Sequence, residues 1–181
     1  MPFFMTTTPE PIDLLIEARW IATVESNAVL KNHAVAIDKG CIKAILPASE
    51  ARPRYSPRTL HVLPDHILIP GLINLHTHAA MTLLRGLADD LPLMDWLQHH
   101  IWPAEAKHAS AQFVYDGTLL ACAEMLRGGI TCFNDMYFFP REAAAAAQQM
   151  GMRAALGLVV LVLALSPSVQ PRLWSAQPTL A

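Results

Sequence analysis

An α/β protein, with an all-β segment leading into parallel βαβ units, is the fold that these 181 residues predict. Three observations predict it. Alternating apolar stretches bounded by turn residues fill the chain to about residue 65. Beyond that point, short apolar runs alternate with longer helical patterns in the order strand, helix, strand, helix, strand, which marks parallel βαβ units. Hydrophobic residues make up 53% of the chain and charged residues 15%, enough for a large core and too apolar for a disordered protein.

In the first segment, residues 1–66, Ile12 to Thr23 reads as a strand with Leu14, Ile16, Ala18 and Trp20 on one alternating face. The run "HAVAIDKGCIKAIL" (His33 to Leu46) predicts two strands around a tight turn in which Gly40 supplies positive φ. Residues 47–58, "PASEARPRYSPR", hold three prolines among charges and predict a loop, followed by a short strand near Leu60 to Leu63. In the second segment, 67–160, Ile67 to Leu75 is an apolar, buried strand interrupted by Pro70-Gly71. Thr82 to Ala88 and Leu93 to His100 have helical character, split by Pro92. Ala109 to Arg127 is a long helix, with Phe113, Leu120 and Met125 among its apolar positions, stopped by Gly128-Gly129. "ITCFN" (Ile130 to Asn134) is a second buried strand, Pro140 opens an alanine-rich helix closed by Gly151, and Leu156 to Val162 is a third strand.

The formal net charge is −2 without a long basic or acidic block, which favours neither nucleic acid nor an anionic membrane surface as a partner and suits a small substrate. The three cysteines, Cys41, Cys122 and Cys132, form no CxxC pair and fit a reducing, cytoplasmic setting; Cys132 lies in a strand as a buried inert thiol. The leader "MPFFMTTTPEP", in which either Met1 or Met5 can be the start, lacks the pattern of a signal peptide. "AALGLVVLVLAL", Ala154 to Leu165, is short of the ~20 residues that span a bilayer and is better explained as a strand.

The stretch "IPGLINLHTHAAMTLLRG" carries the chemistry. His76 and His78 stand one pleat apart at the exit of an apolar strand, and residues i and i+2 of a strand point to the same side. Two imidazoles so placed can share one zinc or similar divalent ion. The same pair can instead be core or capping histidines bonded to backbone. Glu105, in "HHIWPAEAKH", reads by itself as a solvated carboxylate in the first turn of a helix. Trp96 and Trp102 line an apolar pocket or fill core. Asp135 is a capping or supporting carboxylate, Arg85 with Asp89 and Asp90 orders a loop, and His99, His100 and His108 belong to the surface.

The run "LIPGLINLHTHAAMTLLRGLADDLPLMDWL", extended by "GGITCFNDMYFFP" and "GMRAALGLVVL", closely resembles the amidohydrolase superfamily. The likeness covers about residues 10–160 and is nearest to the aminohydrolase branch with 5-methylthioadenosine/S-adenosylhomocysteine deaminases and s-triazine chlorohydrolases. It implies a (β/α)8 TIM-like barrel of which this chain holds the N-terminal part, preceded by half of a small composite β-sandwich. It implies metal ligation by His76 and His78, ribose binding by Glu105, zinc as cofactor, and hydrolytic deamination of an adenosine-type nucleoside. A full barrel takes roughly 250 residues, and the chain supplies about three of its strands. The family draws its remaining histidines and acidic groups from later strands, whereas here no histidine follows His108 and no Asp or Glu follows Glu142. The expectation is therefore a truncated, inactive form, with a triazine chlorohydrolase or a non-catalytic metal-binding remnant as alternatives. The tail 161–181 departs from the family pattern as a shifted reading frame would.

Overall fold

The computed structural model describes residues 8–25 and 27–158, so the first seven residues of the leader, the tail 161–181 and the last four residues of the expected third strand, 159–162, lie outside the described residues. The chain divides into two compact units at the Pro70–Gly71 bond.

The first unit is a four-stranded sheet, β1 (Glu10–Ala22), β2 (Val29–Asp38), β3 (Cys41–Pro47) and β4 (Tyr55–Leu68), in the order β3-β2-β1-β4. β1 runs antiparallel to β2 and parallel to β4. Lys39 and Gly40, at φ 51° and 74°, close the expected β2–β3 hairpin with two consecutive positive-φ residues. The alternation expected along β1 does not hold. As a central strand, β1 buries both faces. Leu15 packs with Ala34, Ala36, Ala51 and Tyr55, while Ala18 and Ile21 cluster with Val35. Leu15 pairs with Ala36 and Ile16 with Val35, so the two clusters lie on opposite sides of the sheet. The register against β4 shifts between Ala18 and Trp20, where two residues of β1 stand opposite four of β4.

Residues 47–58 are not a loop. Ala48–Arg54 form helix α1, and Tyr55 already begins β4, a strand of 14 residues where a short one was expected. The prolines mark the boundaries: Pro47 precedes the first turn and Pro53 lies in the last. α1 buries Ala51 on the sheet and sets Arg52 over Glu17 of β1, which is 8% exposed. The guanidinium donates to both carboxylate oxygens, at 2.7 and 2.8 Å, which is how an acidic residue is tolerated inside.

The second unit is a parallel sheet of β5 (Leu72–Thr77), β6 (Ile130–Tyr137) and β7 (Arg153–Leu158), in sequence order. A 3-10 helix, Ala79–Leu84, replaces the helix expected at 82–88. Next come α2 (Leu93–Trp96), a π turn (Leu97–Ile101) and α3 (Trp102–His108). α4 (Ala111–Arg127) leads to β6, and α5 (Pro140–Gln149) links β6 to β7. Phe133 of β6 is fully buried among Ala121, Cys122 and Met125 of α4 and Ala147 of α5. Cys132, expected to be buried, is only partly so; the inert buried thiol is Cys122, which burial pushes up to about 11. β5 was expected to be buried and is not: Ile73 is 61% and Leu75 75% exposed. Among the described residues β5 has a strand on one side only.

Ser110 caps α4 by accepting from the Phe113 N–H at 3.2 Å, and Gly129 at φ 79° stops it. Ser110→Ala should lower stability by about 1 kcal/mol, read as a shift in urea midpoint with an unchanged slope.

Candidate active site

The approach to the histidine pair contains one residue too many. Asn74 pairs with Phe133 and Thr77 with Asp135, so three steps on β5 oppose two on β6. Phe133 and Asp135 both face the helices, as does Asn74, whose Nδ2 lies 3.8 Å from Met125 Sδ on α4. Strict alternation from Asn74 would send His76 and His78 to that helical side. The extra residue reverses the phase, placing Thr77 with Asp135 and the two histidines on the opposite face, where His76 is exposed.

The imidazoles meet edge to face with ring centroids 5.0 Å apart. His78 Nδ1 lies 2.6 Å from the Met136 carbonyl oxygen. A carbonyl only accepts, so Nδ1 carries the proton and the Nε2 lone pair of the neutral ring is left for a ligand, the arrangement that metal-binding histidines use. Two such rings are part of a tetrahedral set. Among the described residues no group of three or more His, Cys, Asp or Glu side chains is arranged to hold a metal ion.

Three consecutive residues at the exit of β6 organise this end of the sheet. The Asp135 carboxylate, 2% exposed, accepts the Ala79 N–H at 3.1 Å and so fixes the backbone just past His78. Burial raises its pKa, opposed by that hydrogen bond and by the neighbouring histidines. Met136 holds His78 through its carbonyl. Tyr137, 6% exposed, donates its hydroxyl to Glu105 Oε1 at 2.7 Å. Burial, then the Glu105 carboxylate, drive the phenol pKa far up, so the hydroxyl stays a donor.

Glu105 reaches this point from α3. Pro103 has no N–H to offer the preceding turn, and the π turn before it takes up the break without ending the helical path from Leu93 to His108. An open cavity of about 340 Å³ adjoins His78, walled by Met81, Leu84, Leu87, Trp96 and Ile101. Trp96 thus lines a pocket, whereas Trp102 is largely exposed. Arg85 forms a bidentate ion pair with Glu124 of α4 at 2.9 and 2.6 Å, anchoring the segment below the cavity. His99, His100 and His108 lie on the surface as expected. Tyr137 was missed by sequence reasoning; its one signal is its place, two residues past Asp135 and just before the Phe-Phe-Pro that starts α5.

The Amidohydrolase family profile matches residues 67–177. The chain belongs to the amidohydrolase family. Amidohydrolases similar to it include a 5-methylthioadenosine/S-adenosylhomocysteine deaminase from Saccharophagus degradans, 52% identical over 156 residues, which are 86% of this chain and 35% of that protein. A crystal structure of an adenosine deaminase from Xanthomonas campestris with bound zinc superposes with a TM-score of 0.79 and 56% identity, covering 81% of this chain and 34% of the other. A triazine hydrolase from Arthrobacter aurescens, at 21% identity and a TM-score of 0.69 over 80% of this chain and 35% of its own, shares the fold. The chain thus spans about a third of the length of these amidohydrolases and corresponds to the N-terminal part of their TIM barrels. Among the described residues no helix is long and apolar enough to cross a membrane.

Proposed function

We propose that the chain supplies the N-terminal part of a zinc-dependent, cytoplasmic aminohydrolase that removes ammonia from an adenosine-type nucleoside such as 5-methylthioadenosine or S-adenosylhomocysteine. The observation that carries this reading is the convergence of a histidine pair and a hydroxyl-binding carboxylate on one strand exit: His78 and Glu105 are both held by residues of β6, Met136 and Tyr137. A carboxylate accepts from both hydroxyls of a ribose diol, a group that triazines lack. The relatives support it, with 52% identity to a named nucleoside deaminase against 21% to a triazine hydrolase. His76 and His78 would hold the ion, which when bound lowers the pKa of a water to about 7. Glu105 would orient the nucleoside, and Trp96 and Met81 would shield it from solvent. The proton-transfer groups for attack and departure are not among the residues after Glu142, none of which is acidic or a histidine. The 181-residue chain alone should therefore be inactive.

The test completes the chain with the remaining two thirds of the Xanthomonas campestris enzyme and assays methylthioadenosine, S-adenosylhomocysteine and a chlorinated triazine with zinc. Ammonia release from the nucleosides is expected. Chloride release from the triazine alone would replace the substrate assignment, and no turnover by a folded protein would favour a non-catalytic remnant. In the same protein Glu105→Gln should raise KM for ribosyl substrates roughly tenfold or more, as loss of a charge-assisted hydrogen bond does, and leave a nucleoside without the diol little changed.

A further inference from the structure

Tyr137 is wedged in place. Its ring packs with Ala80, Val114 and Ala143, lies 5.1 Å from the Phe138 ring, and tilts against His78 with centroids 6.1 Å apart. Two residues on, Phe139 takes φ 49°, a left-handed conformation unusual for an aromatic side chain, and Pro140 turns the chain into α5. The phenol is thus fixed by packing on one side and by the strand-to-helix turn on the other. Its hydroxyl meets one oxygen of Glu105, a half-buried carboxylate on a connection whose neighbouring side chains, Leu93, Met94 and Trp102, are exposed. A carboxylate anchored at Oε1 has its plane set and keeps Oε2 for another donor.

We propose that Tyr137 is a positioning residue for substrate specificity: it presents the free oxygen of Glu105 to the 2′- and 3′-hydroxyls of the nucleoside at a fixed setting relative to His78. This rests on the diol-binding reading of Glu105. The alternative for the same contact is a structural tether that pins α3 to the sheet, and the two predict different kinetics. An anchored acceptor lowers KM for substrates with a diol and leaves other substrates alone, because orienting a group in advance removes part of the ordering cost of binding. A tether supports the whole site and affects every substrate.

The experiment is a double-mutant cycle in the completed enzyme. Tyr137→Phe keeps the ring and deletes only the hydroxyl. It should raise KM for methylthioadenosine about tenfold, keep kcat within about twofold, and change neither parameter for the 2′,3′-dideoxy analogue by more than about twofold. In the Glu105→Gln background the same substitution should add less than about twofold, since its effect passes through that carboxylate. Equal losses on both nucleosides, additive effects in the cycle, or unaltered KM for methylthioadenosine would each overturn the proposal. Glu105→Gln reads the underlying assignment separately: if it alone fails to discriminate diol from dideoxy substrate, the diol-binding role of Glu105 fails irrespective of Tyr137. Thermal melts of all four proteins report folding, and Tyr137→Leu serves as the variant in which packing is lost as well.

Discussion

In the completed enzyme, His78→Ala should abolish stoichiometric zinc and lower deamination by roughly a thousandfold or more. Catalytic zinc has three protein ligands and an open position, and a bound ion contributes several kcal/mol of charge stabilisation in the transition state. On the proposed assignment, losing one imidazole removes a ligand, and losing His78 in particular removes the one whose tautomer is fixed by the Met136 carbonyl at 2.6 Å. His76→Ala should behave alike in activity, with a smaller structural effect because its ring is exposed. Metal content by mass spectrometry and ammonia release measure the two consequences. Full zinc occupancy in both variants would sink the ligand assignment, and partial rescue of His76→Ala by added imidazole would strengthen it.

The second large effect is expected at a residue with no side chain to bind anything. Gly117 lies in α4 where the helix crosses the backbone that follows His78. A methyl group there would sit 2.5 Å from the Ala80 carbonyl oxygen and 2.9 Å from its Cα. Neither atom can rotate away. Alanine gains about 1 kcal/mol over glycine in a helix, but overpacking of this kind costs about 1–3 kcal/mol, so Gly117→Ala should destabilise and Gly117→Val more so. Because Ala79 and Ala80 are buried and directly follow the second histidine, zinc affinity should weaken together with stability. Gly157→Ala is the control: an added methyl there meets its nearest atom at 3.5 Å, an ordinary contact. Urea unfolding and metal titration of the three variants test this, and equal behaviour of Gly117→Ala and Gly157→Ala would contradict it.

The parallel order of the second unit could be read from the alternation of apolar and helical runs, and Gly128-Gly129, Pro140 and Gly151 marked the end of α4 and both ends of α5 almost to the residue. Proline misled at residues 47–58. Three of them suggested a loop, but two stand at the ends of a helix and Pro57 pairs within β4 opposite Ile12. The burial of β1 on both faces was hidden because no local pattern says that a strand is central with a helix above it. At the site, the histidine pair and Glu105 were visible as residue types in context. The groups that hold them were not, because a backbone carbonyl such as that of Met136 has no sequence signature and the Tyr137–Glu105 bond joins positions 32 apart.

The unpaired step in β5 also sets how much chain length this region can lose. Losing Leu75 leaves two steps from Asn74 to Thr77 against two on β6, restores strict alternation and keeps both imidazoles on the face away from α4. Losing both Leu75 and His76 removes an imidazole and makes Asn74 and Thr77 neighbours on opposite faces, so the phase reverses. A lineage can therefore shed one codon here and still encode a correctly facing pair, but not two. Between relatives, the count of residues from Asn74 to His76 should vary by one at most, while side-chain identities on the exposed face of β5 drift.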